Sequence, residues 1–360
     1  RYGIYHLFRT LRKQDDDTVL VPAYHHGNEI HAIVAAGWKV RFYSINRRLQ
    51  LDPDELEQLC EGQTKAVFVI HYLGWPQPMA EIAEFCRQRS LLLIEDCALS
   101  LLSTSKGRPL GSFGDYAIFC LYKTLPIPNG GLVVQQKNSP PGFSQLILRN
   151  PEKTAIAGRC AELILERTRL RLDIVGKSLA ALKSKIGDFL NASRVERTAV
   201  GDDGFDASKA DLKMASLCHN ILGRLDYEEI YHHRRRNFHF LDNYFNGRVP
   251  TIFSDLPEGV CPLFYPILVC DKSKAAAKLN NRGICSVEFW NQGHPAVPPH
   301  CFPDVQFLRQ HVLELPIHQD LDEKQIEFIA QNVLDLDELI QCDAEIASLT
   351  HIATHDNISK

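Results

Sequence analysis

The sequence predicts an α/β fold: a mostly parallel sheet sandwiched by helices, followed by a smaller C-terminal α/β unit. Three observations carry this expectation. Short apolar runs alternate with helical segments through residue 135, the pattern of strands joined by crossover helices. The run Leu91-Leu92-Leu93-Ile94 is continuously apolar before Glu95-Asp96, as in a strand buried on both faces. At 360 residues the chain exceeds what one small core organises, which points to a large domain over 1–215, a small domain over 216–345 and a loose tail over 346–360.

The elements follow in order. Residues 3–8 carry a helix already in progress and the chain starts at Arg1 rather than Met, so a further N-terminal piece is expected. A strand over 19–21 closes at Pro22, a helix over 29–36 stops at Gly37, and a strand covers 40–43. Asp52-Pro53-Asp54-Glu55 combines an N-cap, a proline in the first turn and early acids, a helix start. A strand over 66–70 and a helix over 79–89 lead to the 91–94 run, and a second apolar segment spans 116–122.

Residues 144–196 form a divergent, basic, helical stretch in which Leu163, Leu170, Leu172 and Ile174 oppose Arg167, Arg169 and Arg171. Glu162 and Glu166 dilute the charge, which favours a solvated face over a membrane-surface or partner-binding one. Gly201-Asp202-Asp203-Gly204 reads as a joint, and a helical segment follows over 209–244. His232 and His233 within it are adjacent and so point in different directions, unsuited to one metal. The C-terminal unit is expected to hold a strand over 263–269, a helix over 273–282, a strand near 285–289 and a helix over 323–339.

Composition excludes several classes. A net charge of −4 gives no nucleic-acid signature. No apolar run is long enough to span a membrane. The 11 cysteines are odd in number and lack a C-x-x-C pair, which fits reduced thiols and a cytoplasmic location. No zinc spacing appears, so no metal site is expected, and there is no G-x-G-x-x-G, Walker or G-x-S-x-G loop. What remains is an acid at a strand end, Asp96, and Lys123 at the end of the next apolar segment, ahead of Pro126-Ile127-Pro128-Asn129-Gly130-Gly131. Such a pair suits pyridoxal 5'-phosphate: a lysine amine for the Schiff base and a carboxylate for the ring nitrogen. The plainer reading is a solvated lysine and a capping aspartate.

Five segments, in order and at matching spacing, resemble the DegT/StrS group of pyridoxal phosphate-dependent sugar aminotransferases. They are Val21-Pro22-Ala23-Tyr24-His25-His26-Gly27, His71-Tyr72-Leu73-Gly74-Trp75-Pro76, Ile94-Glu95-Asp96-Cys97-Ala98, Gly111-Ser112-Phe113-Gly114-Asp115 and the stretch 123–131. Leu315-Pro316-Ile317-His318-Gln319-Asp320-Leu321 resembles a sixth. The resemblance implies the aspartate-aminotransferase fold (fold type I) and a homodimer. It implies transfer of an amino group from an amino acid, glutamate being the expected donor, to a keto-sugar or nucleotide-sugar in polysaccharide or secondary-metabolite biosynthesis.

By the same resemblance Lys123 is the Schiff-base lysine and Asp96 the partner of the pyridinium nitrogen. His26 falls at the ring-stacking position, with a loop histidine bonded to backbone as the alternative, Cys120 at that of a phosphate-binding serine, and Arg1 and Tyr2 at the start of the phosphate-binding helix. His318, Trp290 and Asn129 are placed near substrate, with packing roles as the alternative for His318 and Trp290.

The chain also departs from the group. Leu99 replaces a Gln or His that meets the cofactor's phenolic oxygen, and Asn129 stands where an acid is common. The stretch from Cys120 to Lys123 is two residues short, and no Gly-Asn-Arg pattern is visible over 209–214. These departures motivate the alternative of a non-catalytic homologue with a binding or regulatory role. A dehydratase reading is disfavoured because Lys123 is retained.

Overall fold

The computed structural model describes residues 1–136, 146–171 and 205–340, apart from 254, 289 and 299. Most of the basic stretch, the 201–204 joint and the C-terminal tail lie outside these residues.

Helix α1 (Tyr2–Leu11) buries Ile4, Leu7, Phe8 and Leu11 along one face. Strand β1 (Thr18–Pro22), α2 (Asn28–Ala35) and β2 (Lys39–Tyr43) follow. Then come α3 (Pro53–Leu59), β3 (Thr64–Ile70), α4 (Met79–Arg89) and β4 (Leu92–Asp96). The acidic start foreseen for α3 is present: the Asp52 side chain accepts a hydrogen bond from the Asp54 N–H, with proline in the first turn. A short hairpin pairs β5 (Thr104–Ser105) with β6 (Arg108–Pro109). Strand β7 (Tyr116–Cys120) runs into a single 3₁₀ turn (Leu121–Lys123), and β8 (Gly131–Gln135) returns.

The sheet order is β2-β1-β3-β4-β7-β8. The first five strands are parallel, and β8 lies antiparallel on β7. Strands β1 and β3 are buried almost throughout, as expected of a sheet covered on both faces. The fold is the α/β, largely parallel one read from the sequence.

Helix α5 (Lys153–Arg171) is the described part of the divergent stretch; on it Leu163 is half-buried and Arg167 exposed. The single helix expected over 209–244 is a correction. A 3₁₀ turn (Ala207–Lys209) precedes α6 (Ser216–Leu222) and α7 (Tyr227–Phe245). Asp226 caps the new start by accepting from the Glu229 N–H. Strand β9 (Phe264–Leu268), α8 (Lys272–Asn281), α9 (Pro303–His311), β10 (Val312–Pro316) and α10 (Glu323–Leu334) complete the order.

Among the described residues 285–288 the expected strand is not formed; Val287 makes an isolated bridge to Glu314. Helix α10 ends at Leu334 rather than 339, although Leu336 and Ile340 stay buried. Strands β9 and β10 pair antiparallel, and with α7, α8 and α10 they bury a second core that includes Phe238, Tyr265, Leu313 and Ile329. A third cluster joins Leu121, Leu125 and Ile127 to Ala215, Cys218 and Ile230. Among the described residues no helix is long and apolar enough to cross a membrane.

Candidate active site

Successive side chains of a strand point to opposite faces, so the doublet closing β4 does two jobs. Glu95 turns toward the loop before β7. Its Oε1 accepts from Phe113 N (2.7 Å) and Gly114 N (2.6 Å), and its Oε2 from Gly111 N (2.8 Å) and His71 Nε2 (3.1 Å). His71 Nδ1 accepts from Gln77 N at 3.2 Å, which places its ring proton on Nε2, toward Glu95. These bonds, with His71, hold the carboxyl of Glu95 below the usual range although burial works against its charge. Asp115 closes the same loop by accepting from Leu93 N (2.9 Å). A Cβ on Gly114 would lie 2.5 Å from the Leu93 carbonyl oxygen, so only glycine fits there. His71, Glu95 and Cys97 also bring three possible metal-ligand atoms within 4.8 Å of one another, but both oxygens of Glu95 are taken by N–H donors.

Asp96 turns the other way. It is 6% exposed, and its Oδ1 accepts from Ala98 N at 2.8 Å. Burial first, and the charge of Glu29 second, push its carboxyl up to about 6; the Ala98 N–H and Lys123 pull the other way. Lys123, half-buried at the end of the 3₁₀ turn after β7, thus lies within electrostatic reach of Asp96 on the neighbouring strand end. Arg1, at the start of α1, acts on Tyr122, the neighbour of Lys123. Cys120, half-buried, shares a hydrogen bond with the Tyr122 hydroxyl. Helix α1 begins here with no acid in its first turn and no side-chain cap from Arg1, which leaves its N-terminal N–H groups suited to an anion. Tyr2 meets Phe205 edge-on at 5.9 Å.

The structure therefore gathers Asp96, Lys123, Cys120 and Arg1, with Tyr2 next in the chain. His26 lies on the adjoining loop, where its N–H donates to Glu29 Oε1 at 2.8 Å. The remaining three residues have packing partners. Trp290 is buried against Tyr24 (4.9 Å) and Tyr72 (5.5 Å). Asn129 Oδ1 accepts from Ala215 N (3.1 Å) and from Cys218 Sγ (3.3 Å), fastening the start of α6. His318 is half-buried, 3.9 Å from Asp320; burial, and then Arg234, lower its pKa. Leu99 is a buried core residue.

Two arginines that the sequence reading passed over hold the surroundings. Arg234 on α7 is 2% exposed; it donates to Gln319 Oε1 (3.0 Å), Leu263 O (3.0 Å) and Thr124 O (3.4 Å), the last adjoining Lys123. Gln319 Nε2 donates to the same Thr124 oxygen at 3.2 Å. Arg309 on α9 donates to Trp290 O and Gln292 O (both 2.7 Å), and to Ala23 O (3.2 Å) and His25 O (3.1 Å). His25 completes that joint: its Nδ1 donates to Pro22 O (2.7 Å), and its Nε2 accepts from His294 N (2.9 Å). The only sequence signal for these residues is polar side chains at positions where a helix or strand face is otherwise apolar.

Comparison with known proteins bears directly on this arrangement. Residues 3–140, which include β4, the lysine turn and the loop held by Glu95, match the model of the DegT/DnrJ/EryC1/StrS aminotransferase family. This part of the chain is similar to that family. Within it, the chain is 35% identical over 123 residues to a GDP-perosamine synthase of Escherichia coli O157:H7, covering 33% of this chain and 34% of that protein. It is also 35% identical over 133 residues to a dTDP-4-dehydro-2,3,6-trideoxy-D-glucose 4-aminotransferase of Saccharopolyspora spinosa, covering 35% and 34%. The matched part thus spans about a third of the length of these curated relatives. The crystal structure of the aminotransferase TlmJ from Streptoalloteichus hindustanus superposes with a TM-score of 0.61 at 21% identity, over 92% of this chain and 82% of that one. The likeness of fold to that structure therefore extends well beyond residue 140.

Proposed function

We propose that the protein is a pyridoxal phosphate-dependent aminotransferase that moves an amino group from an amino acid, glutamate, to a keto-sugar or nucleotide-sugar. The observation that carries this reading is that Lys123 and the buried Asp96 follow adjacent parallel strands, within electrostatic reach of each other. The two curated relatives, named for sugar amination, support the acceptor class.

The residues present fit the cofactor. Asp96 is a buried carboxyl whose ionised form is under-compensated, and a cationic ring nitrogen supplies the missing partner. In this reading Asp96 pairs with that nitrogen, Lys123 bonds the cofactor covalently and His26 packs on the ring. The start of α1 (Arg1, Tyr2) and Cys120 receive the phosphate. When bound, the group supplies an electron sink.

The chain's own residues do the rest. The Lys123 Nζ accepts and returns a proton as general base and acid. Asp96, shielded from water, stays ionised beside the ring cation. Arg234 and Gln319 hold the Thr124 carbonyl, and with it the lysine turn, in place. His318, Trp290 and Asn129 belong to the substrate side, and the active form is a homodimer.

A second reading, a non-catalytic relative that binds or regulates, draws on Leu99 being sunk in the core and on Asn129 being spent on α6. A visible absorption spectrum with added pyridoxal phosphate separates the two. A new band that bleaches with glutamate, and that Lys123→Ala abolishes, is the expected result. The absence of any band in the unaltered protein overturns the proposal in favour of the second reading.

A further inference from the structure

The four carbonyls that lead into His26 are each met by a side chain. Pro22 O accepts from His25 Nδ1 (2.7 Å) and Ala23 O from Arg309 Nη2 (3.2 Å). Tyr24 O accepts from the Tyr72 hydroxyl (2.7 Å) and His25 O again from Arg309 Nη2 (3.1 Å). The His26 N–H then donates to Glu29 Oε1 at 2.8 Å. A surface loop ordinarily leaves such groups to water; here they are spent on fixing the path of the chain.

Arg309 reaches this loop from α9, and the other half of its fork holds a second segment. Nη1 donates to Trp290 O and Gln292 O, both at 2.7 Å, so both terminal nitrogens end on backbone carbonyls. A guanidinium is planar and its donors are fixed relative to one another, so the fork sets the spacing of the two segments. Trp290 takes a left-handed backbone (φ 58°), rare for so bulky a side chain and kept only where the surroundings over-determine it. Its ring is seated on Tyr24 and Tyr72. His294 N closes the joint on His25 Nε2 at 2.9 Å. Glycine is required where the guanidinium passes: a Cβ on Gly293 would collide with Arg309 Nη2 and lie 3.2 Å from His25 Nε2.

We propose that Arg309 is a positioning residue that makes the 23–26 loop and the 290–294 segment one unit, so that His26 on the cofactor side and Trp290 on the substrate side are placed together. The inference rests on the aminotransferase reading for the tasks of His26 and Trp290, and on geometry alone for the joint. Coupling of this kind is reciprocal. With a ring bound against His26 the 290–294 segment is held more firmly, and loosening that segment weakens the hold on the ring. Lysine is no substitute, because three donors on one flexible stem cannot meet four carbonyls from two segments.

Hydrogen exchange followed by peptide mass spectrometry tests both halves. The reporters are peptides holding the amides of His26 and His294, both of which are hydrogen-bonded. Without cofactor, Arg309→Lys is expected to quicken exchange of the two peptides together by about tenfold or more, the ratio for losing one bond to a charged donor. Peptides from β9 and β10 should be unchanged. Gly293→Ala, which displaces only the Nη2 arm, is expected to act in the same way and decides the matter if Arg309→Lys does not fold. Quickening of one peptide without the other, or equal quickening throughout the second core, overturns the proposal. With pyridoxal phosphate added to the unaltered protein, the His294 peptide is expected to slow along with the His26 peptide; in Arg309→Lys only the latter slows. Uptake of pyridoxal phosphate, seen by absorbance, that leaves the His294 peptide unaffected also overturns the proposal. No uptake at all refutes the aminotransferase reading, and the cofactor-free comparison then decides the joint by itself.

Discussion

Replacing Glu95 with Gln tests how the β4 end is held. The carboxylate has four donors shared between two oxygens, Phe113 N and Gly114 N on one and Gly111 N and His71 Nε2 on the other. A glutamine amide keeps one oxygen, so whichever way it turns, its NH₂ group faces two donors. His71 offers no escape by exchanging tautomers, because Nδ1 already accepts from Gln77 N. Two hydrogen bonds to a charged group are lost, each worth about 1.5–3 kcal/mol. Partial relaxation brings the expected destabilisation to about 3–5 kcal/mol, the range for breaking a buried charged pair. Urea unfolding of the two proteins at neutral pH measures the difference. The carboxyl is held low in the folded chain, so the Glu95 contribution is full above the ordinary carboxylate range and fades as pH falls through the folded value. The gap between the two proteins should narrow in acid. A difference below about 1 kcal/mol at neutral pH would refute the assignment of Glu95 as the tie between β4 and the 111–114 loop, since even one lost charge-assisted bond exceeds it.

Two further outcomes are expected. Gly114→Ala places a methyl group 2.5 Å from the Leu93 carbonyl oxygen; a backbone shift of that kind should cost about 1–3 kcal/mol in urea unfolding, and an unchanged midpoint would show that the loop gives way freely. His25 is pushed down to about 4, mainly by burial, so its folded pKa lies below its unfolded one. Its contribution is present above about pH 6.5 and is lost as pH falls toward 4, at roughly 1.4 kcal/mol per pH unit. His25→Asn should flatten that part of the pH–stability curve, and a variant curve of unaltered slope would count against the His25–His294 joint.

Much of this was legible because the parallel strands are nearly pure apolar runs. Segments 18–22, 64–70 and 92–96 announce themselves, and Asp52-Pro53 marks a helix start by chemistry that needs no tertiary context. Asp96 and Lys123 were legible for the same reason, each ending an apolar run. Glu95 was visible but was read together with Asp96 as one acidic strand end, although a period of two sends the side chains to opposite faces. The extension of α10 to 339 failed because Leu336 and Ile340 continue the apolar pattern after the backbone has left the helix; periodicity reports burial, not hydrogen bonding. The missed break between α6 and α7 lies at Gly223-Arg224-Leu225-Asp226, where only the Asp226 cap signals a new start. Arg234 and Arg309 gave only the weak signal of a polar side chain on an otherwise apolar face, since their partners lie 17 to 286 residues away.

Arg234 bears on the order in which the molecule takes shape. Its bond to Thr124 closes 110 residues of chain, and among the described residues its guanidinium has no ion-pair partner to draw it in early. Closing so long a loop costs entropy that must be met before the contact contributes anything. The sheet carrying Asp96 and Lys123 is built largely from near neighbours, so it can form first with its lysine turn still loose. Asp96 and Lys123 then belong to the part that can form early, and the lysine turn is fixed only when α7 and the 317–319 segment dock.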